Sequence, residues 1–485
     1  MTQYYPTIEE VNILSQQGNL IPLYTEINAD LETPVSAYLK IAKQPYSFLL
    51  ESVEGGEKLA RYSFIGTEPF KVIKTGPDQE QGEIDPLVII KNTLDQYHPV
   101  YIQGLPRFQG GAVGYLAYDT VKYFEPVPTP LEDPLGLPES QFMFVDTLLI
   151  FDHIRHTIKV LTHIHLEGNT VEQAYCEAIK RIETLVKRLK KPLAINNLPI
   201  NQSNNKTNQV LSNITKEEYK RKVGIIKEYI YSGDIIQAVL SQRFSKKTNA
   251  KPFDIYRALR TLNPSPYMYF LELDGFHIVG ASPELLVRVE DGMIYNFPLA
   301  GTRPRGTTHA EDDDLAEELK ADEKEKAEHI MLVDLARNDV GRVAEPGSVE
   351  VTDLMRIVKY SQVMHLESEV RGKLRQDKDA YDALRSCLPA GTLSGAPKIR
   401  AIEILSELEG ERRGPYGGAV GYFGFDGAMD TAITIRTMII KEGTAYIQAG
   451  GGIVADSIPE SEYQETLHKA RAALKALEKA EGTGS

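Results

Sequence analysis

Two ten-residue segments in opposite halves of the chain share seven of their ten residues: GGAVGYLAYD at 110–119 and GGAVGYFGFD at 417–426. In both segments glycine alternates with apolar residues, which is typical of a β-strand that another backbone approaches closely. Two unrelated glycine-rich strands could share these residues by coincidence. We favour the alternative, which predicts that the N-terminal and C-terminal parts contribute similar sheets that pack together.

A stretch rich in Asn, Gln and Ser, residues 192–215, is the strongest candidate for a linker. Short apolar strands separated by turns precede it, and strands alternate with helices after it. These features predict an N-terminal region (1–190), a linker (191–213) and a C-terminal domain (214–478).

The composition of the 485 residues narrows the classes of function. The apolar share of 42% is enough for a large core, and the net charge of −14 argues against nucleic acid as a partner. Cys176 and Cys387 are the only cysteines and have no Cys-x-x-Cys partner, so we expect neither a disulfide framework nor a zinc cluster. The start lacks the features of a secretory signal, and no apolar run reaches membrane-spanning length. We therefore expect a cytoplasmic protein that contacts no membrane.

Two Glu-x-x-Glu pairs mark candidate metal-binding turns: Glu325 with Glu328, and Glu462 with Glu465. Residues three apart in a helix lie on the same face, so each pair presents two carboxylates together. Solvated helix faces would explain either pair taken alone. Together the four acids suit Mg²⁺, which binds few carboxylates, keeps several waters and meets the anionic groups of its substrate.

Other candidate residues are polar groups inside apolar or glycine-rich stretches. Residues 391–405, GTLSGAPKIRAIEIL, place a Gly/Ser/Thr-rich loop before a helix, which indicates an anion-binding helix start or a plain capping turn. Gln237 and His365 lie in strand-like segments, where a lone histidine is commonly a core residue. Arg436 lies in a β-branched run, where a buried guanidinium needs either a protein carboxylate or a ligand carboxylate. These residues predict an enzyme with a Mg²⁺-assisted site for an anionic small molecule.

The most specific signal is a set of strings spread over the region from about residue 20 to residue 475. They are LLES (49–52), NPSPYMYF (263–270), ASPE (281–284), PLAGTRPRG (298–306), EHIMLVDLARNDVGRV (328–343), VMHLESEVRG (363–372), PAGTLSGAPK (389–398), RGPYGGAVGYF (413–423) and QAGGGI (448–453). In these strings the chain resembles the chorismate-utilising enzymes, and within that family the large subunits that form anthranilate. The resemblance implies an α+β, anthranilate synthase-like fold: a large composite of packed, mainly antiparallel β-sheets with surrounding helices. It also implies a regulatory N-terminal region and a catalytic C-terminal domain.

The resemblance further implies a two-stage lyase reaction. Ammonia adds at ring carbon 2 of chorismate while the carbon-4 hydroxyl leaves, and pyruvate is then eliminated to give anthranilate, the first committed step of tryptophan biosynthesis. Glu284 matches the general acid that protonates the leaving hydroxide, and a carboxylic acid near an anionic substrate should have a raised pKa. His365 matches the histidine of the elimination stage, where it transfers or orients the carbon-2 proton.

Two positions separate the branches of this family. Isochorismate and salicylate synthases carry Lys where Gln237 stands, and a neutral amide cannot activate water as that Lys does. Aminodeoxychorismate synthases typically carry a nucleophilic Lys where Ala300 stands. Both residues therefore favour free ammonia as the nucleophile. The alternatives are an aminodeoxychorismate synthase component I and a catalytically silent tryptophan-sensing subunit.

By the same resemblance, Mg²⁺ lies between two acidic helices and meets the ring carboxylate of chorismate. Glu328 and Glu462 match its direct ligands, and Glu325 and Glu465 match water-mediated or supporting acids. Further residues match the substrate site. Arg436 and Tyr416 match the residues that bind the enolpyruvyl carboxylate. The residues that match the binding site of the ring carboxylate are Thr392, Gly450, Gly451 and Gly452.

The resemblance also implies a partner and an inhibitor. Neither cysteine suits a glutaminase nucleophile, so a separate glutamine amidotransferase subunit should supply ammonia. LLES and NPSPYMYF match the family's feedback site for L-tryptophan, with candidate contacts at Glu51, Ser52, Pro266, Tyr267 and Met268. Glu51 and Ser52 would recognise the amino group. Plain packing between the two regions would use the same residues.

Overall fold

The computed structural model describes residues 3–52, 61–168, 170–193, 209–360 and 363–482. Most of the predicted linker, residues 194–208, lies outside the described residues. The helices of the described part are α1 (Ile8–Leu14), α2 (Pro34–Ile41), α3 (Pro86–Leu94), α4 (Val171–Leu189), α5 (Lys216–Tyr231), α6 (Pro252–Leu262), α7 (His309–Ala321), α8 (Glu323–Gly341), α9 (Ala380–Cys387), α10 (Lys398–Glu409) and α11 (Pro459–Ala480), with 3-10 turns at Tyr118–Tyr123 and Gly391–Leu393.

The strands of the same residues alternate with these helices, most densely between residues 237 and 304. They are β1 (Leu20–Asn28), β2 (Ser47–Glu51), β3 (Tyr62–Thr67), β4 (Lys71–Thr75), β5 (Gly111–Leu116), β6 (Ser140–Val145), β7 (Thr147–Asp152), β8 (Thr157–His165), β9 (Leu211–Ser212), β10 (Gln237–Lys247), β11 (Tyr267–Leu273), β12 (Phe276–Ser282), β13 (Leu285–Glu290), β14 (Met293–Asn296), β15 (Leu299–Pro304), β16 (Glu350–Lys359), β17 (Val363–Lys373), β18 (Gly395–Ala396), β19 (Ala419–Gly424), β20 (Met429–Ile433), β21 (Thr437–Lys441) and β22 (Thr444–Ile453).

These strands form two sheets, and every pair of the described strands is antiparallel. The first sheet has the order β1-β8-β7-β3-β2-β11-β12-β21-β22-β10-β18, with β9 on β10. The second has the order β15-β17-β14-β13-β20-β19-β5-β6-β4, with β16 on β17. The predicted α+β fold of antiparallel sheets with surrounding helices is confirmed.

The repeated glycine-rich segments lie side by side. β5 pairs with β19 in the second sheet, and Gly114 lies opposite Gly421. A side chain on either glycine would collide with a neighbouring backbone carbonyl, that of Gln141 for Gly114 and that of Asp430 for Gly421. The repeat therefore joins the two parts of the chain within one sheet, and the expectation that it forms two separate, packed sheets is wrong.

The first sheet has a second such seam, where β2 pairs with β11 and Glu51 lies opposite Met268. Both sheets thus contain strands from before and after residues 194–208. The two parts of the chain share both sheets. The division into an N-terminal region, a linker and a C-terminal domain therefore stays a prediction.

The three largest buried clusters of the described residues lie between the sheets and on their outer faces. Side chains from both sheets, such as Tyr115 and Tyr269, meet in a buried cluster between them. A second cluster packs α1, α2, α4, α6 and α11 on the outer face of the first sheet, and a third packs α3, α8 and α9 on the outer face of the second. α11 packs against β22 of the first sheet, and α8 packs against β15 and β17 of the second. The candidate site lies where these elements approach each other.

Candidate functional site

Three consecutive glycines of β22, residues 450–452, each face a predicted site residue. A Cβ atom on the first would lie 2.9 Å from Tyr416 Oη, on the second 3.1 Å from Glu462 Oε2, and on the third 2.5 Å from Gln237 Nε2. A side chain at Gly450 or Gly452 would displace these groups, and one at Gly451 would press on Glu462, so glycine permits their close approach. The structure therefore brings Tyr416, Glu462 and Gln237 close to one strand.

Arg436 follows β20 in the left-handed backbone region, at φ 52°. Such a conformation is strained for a residue with a side chain, and it often marks a functional position. Its guanidinium donates to the Lys469 carbonyl at 3.0 Å and forms no ion pair with any described carboxylate. Burial lowers the pKa of Arg436, opposed by Tyr416 and Glu465. A ligand carboxylate is therefore the partner that remains for this buried charge.

Lys469 is a site residue that the sequence analysis missed. Its Nζ pairs with Glu465 Oε1 at 2.6 Å and donates to the Gly450 carbonyl at 2.9 Å. Its charge also lowers the pKa values of Glu328 and Glu462, although burial raises both overall. The spacing of Glu465 and Lys469, four residues apart on α11, could have indicated that this lysine shares a helix face with the acids.

Glu284 is buried between β12 and β13. Thr392 Oγ1 donates to its Oε1 at 3.1 Å. Burial raises the pKa of Glu284 to about 7, although Thr392 and Lys469 act to lower it. Near neutral pH a large fraction of this side chain is therefore a neutral acid that can donate a proton. Thr392 was predicted to bind substrate, and its hydroxyl contacts this acid.

His365 lies on β17 beside Leu366, which pairs with the predicted site residue Ala300 of β15. Its Nδ1 is 2.7 Å from the Gly301 carbonyl oxygen, which can only accept a hydrogen bond. We therefore assign the ring proton to Nδ1, which leaves Nε2 as an acceptor in the neutral ring. Burial lowers the pKa of His365, and the nearby charge of Arg436 lowers it further, against the effect of the Gly301 carbonyl.

The two acid pairs lie on α8 and α11, and Glu465 of α11 is close enough to Glu328 of α8 to affect its pKa. Glu465 raises the pKa values of both Glu328 and Glu462, in addition to the larger effect of burial. Glu325 accepts from Arg303 at 3.4 Å, and Glu465 pairs with Lys469. Among the described side chains, Glu328 and Glu462 have no cationic partner within ion-pair distance. The four acids thus divide into two that are paired and two that are not.

The same residues decide whether a cation fits here. No group of three or more His, Cys, Asp or Glu side chains within the described ranges is arranged to hold a metal ion. However, Glu462 Oε2 is buried and accepts no hydrogen bond, and it lies beside the glycines of β22. An oxygen-only donor set with few protein ligands matches a cation that keeps most of its own waters, as Mg²⁺ does. The residues fit Mg²⁺ in kind and in charge.

The predicted tryptophan contacts lie along the β2–β11 seam, with their side chains on two faces of the first sheet. Glu51 lies opposite Met268, so these side chains point to the face covered by α6. There, Glu51 accepts from Tyr256 and, at 3.0 Å, from Arg260 Nε. The carboxylate that was expected to meet an amino group is therefore already satisfied by protein donors.

Tyr267 points to the other face of this seam, between the two sheets. Its hydroxyl donates to Asp430 Oδ1 at 3.0 Å and accepts from Arg288 Nη2 at 3.0 Å. Ser52 follows β2 next to Tyr267, and Pro266 immediately precedes β11. The structure thus brings all five residues to one seam but divides their side chains between its faces.

Comparison with known proteins shows the family of this chain. Residues 45–475 match the family described as chorismate binding enzyme. The chain is 50% identical to anthranilate synthase component 1 of Acetivibrio thermocellus, over 98% of this chain and 99% of that protein. It is 49% identical to the protein of the same name from Aquifex aeolicus, over 98% of each chain. The crystal structure of anthranilate synthase component I from Streptococcus pneumoniae superposes with a TM-score of 0.77 at 38% identity, covering 92% of this chain and 98% of that one.

The structure of the menaquinone-specific isochorismate synthase MenF from Escherichia coli also superposes, with a TM-score of 0.69 at 19% identity over 97% of this chain and 98% of that one, which shows a shared fold. Within the described residues, no helix has both the length and the apolar composition needed to span a bilayer.

Proposed function

The chain belongs to the chorismate-binding enzymes, and from this premise we propose how its site converts chorismate to anthranilate. The conversion itself is the activity named for its component 1 relatives, which match this chain over nearly its whole length. The observation that carries the proposal is the buried Arg436, which has no carboxylate partner among the described residues and lies beside Tyr416. A dianionic substrate would supply the missing negative charge.

Arg436 and Tyr416 bind the enolpyruvyl carboxylate of chorismate in this proposal. The ring carboxylate lies against the glycines 450–452, whose lack of side chains leaves the backbone open to it. Lys469 and the two acids without a cationic partner, Glu328 and Glu462, lie at the same end of the site. Bound between those two acids, Mg²⁺ would supply positive charge to the ring carboxylate.

Glu284 protonates the hydroxide that leaves ring carbon 4. Its raised pKa keeps the proton on the carboxyl group near neutral pH, and Thr392 fixes the orientation of that group by hydrogen bonding to Oε1. A general acid is required because hydroxide is a poor leaving group. Water leaves instead of hydroxide once the proton has been transferred.

Ammonia is the nucleophile at carbon 2. Gln237 is buried and neutral, so it has no basic group to deprotonate water, and Ala300 has no nucleophilic atom. After amination, the unprotonated Nε2 of His365 accepts or orients the carbon-2 proton while pyruvate leaves. The carbon–oxygen bond to the enolpyruvyl group breaks, and the ring becomes aromatic.

A second subunit supplies the ammonia by hydrolysing glutamine in the cytoplasm. Cys387 is buried, and burial raises its thiol pKa to about 12, so it cannot act as a nucleophile at neutral pH. Cys176 is exposed on α4 and has no role in the site described above. The name "component 1" of the relatives implies a partner, and a glutamine amidotransferase matches the need for ammonia.

L-Tryptophan inhibits the enzyme by binding at the β2–β11 seam. Ser52, Pro266 and Tyr267 are grouped near the space between the two sheets, and Met268 with Glu51 lies on the opposite face. Arg260 and Tyr256 already donate hydrogen bonds to the Glu51 carboxylate. Ser52 and nearby backbone groups are therefore the main groups that recognise the amino group of the inhibitor. Glu51 would act by fixing the end of β2.

The test of the reaction is turnover of chorismate with Mg²⁺ and ammonium chloride, without any partner subunit. We expect anthranilate, followed by its fluorescence and mass, and pyruvate in equal amount. Aminodeoxychorismate without pyruvate would instead identify an aminodeoxychorismate synthase. No turnover at all would support the silent tryptophan-sensing subunit.

A further inference from the structure

Arg413 is a buried cation that the reaction described above does not use. Its side chain is 3% exposed and belongs to the segment RGPYGGAVGYF (413–423), which also carries Tyr416. Its Nε donates to Glu409 Oε2 and its Nη2 donates to Glu409 Oε1, each at 2.7 Å. Burial acts to lower the pKa of Arg413, but Glu409 and the nearby tyrosines raise it above its usual range. The guanidinium therefore stays charged.

Two further donors of Arg413 reach backbone carbonyls. Nη1 donates to the Leu393 carbonyl at 2.6 Å, and Nη2 donates to the Val239 carbonyl at 2.7 Å. Leu393 ends the 3-10 turn Gly391–Leu393, which we call the Thr392 turn, and Val239 lies on β10 opposite Gly452. One planar group thus joins the Thr392 turn to the strand that borders the glycines of β22.

The position of this guanidinium is itself fixed from more than one side. Glu409 ends α10, and its Oε1 also accepts from the backbone N and the Oγ of Ser241 on β10, at 2.8 and 2.9 Å. A bidentate Arg–carboxylate pair sets the plane of the guanidinium as well as its distance. The guanidinium also lies over the ring of Tyr118, 4.5 Å from its centre. Arg413 can therefore hold the two carbonyls at a set separation.

The Thr392 turn needs such precision because its hydroxyl contacts the catalytic acid. Thr392 Oγ1 lies 3.1 Å from Glu284 Oε1. A shift of the turn by about 0.5 Å away from Glu284 would take these oxygens beyond hydrogen-bonding distance. Stability alone is a weak reason for the Arg413–Glu409 pair, because desolvation largely offsets the attraction within a buried ion pair.

We propose that Arg413 is a positioning residue that holds the Thr392 turn against β10, so that Thr392 keeps its hydrogen bond to Glu284 while the carbon-4 hydroxyl leaves. This inference rests on the proposed function, in which Glu284 is the general acid. Arg413 acts through the Leu393 carbonyl and Thr392, and it exchanges no proton with the reacting atoms. Without its hydrogen bonds the turn would move and the acid would lose its orientation.

The pH dependence of kcat reports the hydrogen bond between Thr392 and Glu284. Burial raises the pKa of Glu284 to about 7, and Thr392 and Lys469 act to lower it. Loss of the Thr392 hydrogen bond removes one lowering effect, so the pKa rises and the alkaline fall of kcat moves to higher pH. Lys469 contacts Glu465 and the Gly450 carbonyl, so its effect should remain.

The test is Arg413→Lys, which keeps a positive charge beside Glu409 but lacks the planar set of donors that reaches both carbonyls. The kcat for chorismate is measured against pH at saturating Mg²⁺ and constant free ammonia. The midpoint of the alkaline fall should rise by about half a unit to one unit, the effect of one hydrogen bond. The kcat below that midpoint should fall about tenfold, because the acid is no longer oriented. A merely structural role would lower the Tm or the yield of active enzyme and leave the midpoint unchanged.

Arg412→Lys is the matched control. Arg412 is the neighbouring residue and is also mostly buried, with its side chain 14% exposed. It donates to Glu139 and to the Pro130 carbonyl, both at 3.1 Å, and not to the Thr392 turn. The midpoint of this variant should equal that of wild type.

Thr392→Val shows whether both residues act through the same hydrogen bond. It removes that bond directly, so its midpoint should rise at least as far as that of Arg413→Lys. In the double variant the midpoint should equal that of Thr392→Val alone, because the bond can be lost only once.

A wild-type midpoint in folded Arg413→Lys would overturn the proposal, as would an equal shift in Arg412→Lys or additive shifts in the double variant. If Arg413→Lys does not fold, Glu409→Asp decides alone, because it shortens the carboxylate that places the guanidinium and should move the midpoint in the same direction. Failure of the proposed function gives a different result, since wild type would then form no anthranilate or show no fall in kcat above pH 7.

Discussion

The substrate site and the β2–β11 seam both bury charged side chains. Those at the seam are paired with other protein groups, whereas some of those in the substrate site are not. At the seam, Glu51 is satisfied by Tyr256 and Arg260. In the substrate site, Arg436 has no carboxylate partner in the described part of the chain, and the buried Glu462 Oε2 accepts no hydrogen bond. An unpaired buried charge costs several kcal/mol, so the protein is expected to tolerate it only where a ligand completes it.

The contrast separates two kinds of role for buried charge. The paired groups of the seam stabilise the junction between the two parts of the chain with no ligand present. In the proposed function, the unpaired groups of the substrate site bind a dianion and a cation. We therefore expect substitution of an unpaired charge in the substrate site to lower activity without loss of stability. Substitution of a paired charge at the seam should lower stability with little loss of turnover.

Arg436→Met should have the largest effect on activity. It removes the charge that we propose binds the enolpyruvyl carboxylate, so kcat/KM for chorismate with ammonium should fall by about 10³-fold, equivalent to roughly 4 kcal/mol. The Tm should be equal to or above that of wild type, because an unpaired buried charge is replaced by an apolar side chain of similar length. Steady-state kinetics and calorimetry on the same preparation measure both.

The matched control is Arg260→Met at the seam. It leaves Glu51 buried with Tyr256 as its remaining side-chain donor, so the free energy of unfolding should fall by about 1–3 kcal/mol. Turnover without tryptophan should stay within about twofold. The comparison fails if Arg436→Met destabilises the protein more than Arg260→Met does.

Glu462→Gln should have the next largest effect. It keeps the size of the side chain but removes the charge that faces the glycines of β22, so activity at limiting Mg²⁺ should fall by about 100-fold or more. Activity at limiting and saturating Mg²⁺ is the measurement. Glu460→Gln is the control, because Glu460 lies on the same helical turn but pairs with Lys216 and Lys220 near the surface. Equal Mg²⁺ dependence in the two variants would contradict the proposed metal position.

The raised pKa of Glu284 predicts how activity depends on pH. The group is an acid whose pKa rises from 4.5 to about 7, so it is protonated below pH 7 and loses its proton above it. At constant concentration of free ammonia, kcat should therefore fall about tenfold per pH unit above 7. Glu284→Gln should lose most activity at every pH. A rate that keeps rising above pH 8 at constant free ammonia would show that another group is the acid.

The sequence indicated which residues and helices carry the candidate site, but it did not indicate which side chains contact each other. The spacing of the two Glu-x-x-Glu turns identified both acidic helices, because three-residue spacing in a helix fixes a common face. Nothing in that spacing shows that Lys469 pairs with Glu465, because the rotamers of long side chains depend on packing. The glycine repeat indicated close backbone approach, but whether its strands share one sheet depends on strand order.

The seam shows the same limit. The strings that contain Glu51 and Tyr267 were expected to form one site. In an antiparallel pair, however, the register decides which side chains share a face, and a shift of one residue reverses every side chain. The observed register places Glu51 with Met268 and turns Tyr267 towards Asp430.

The smallest expected effect on turnover is that of Ser52→Phe, which would sharpen the comparison by altering the seam without touching a buried charge. The larger side chain should fill the space proposed for tryptophan, so the concentration of tryptophan that halves activity should rise about tenfold or more, while kcat without tryptophan stays within about twofold. Ser47→Ala, on the same strand and bonded to Tyr38 and Glu272, is the control and should keep wild-type inhibition. If tryptophan inhibits Ser52→Phe as strongly as wild type, the inhibitor does not bind on this face. The added ring and the bound indole could not both occupy the space beside Tyr267.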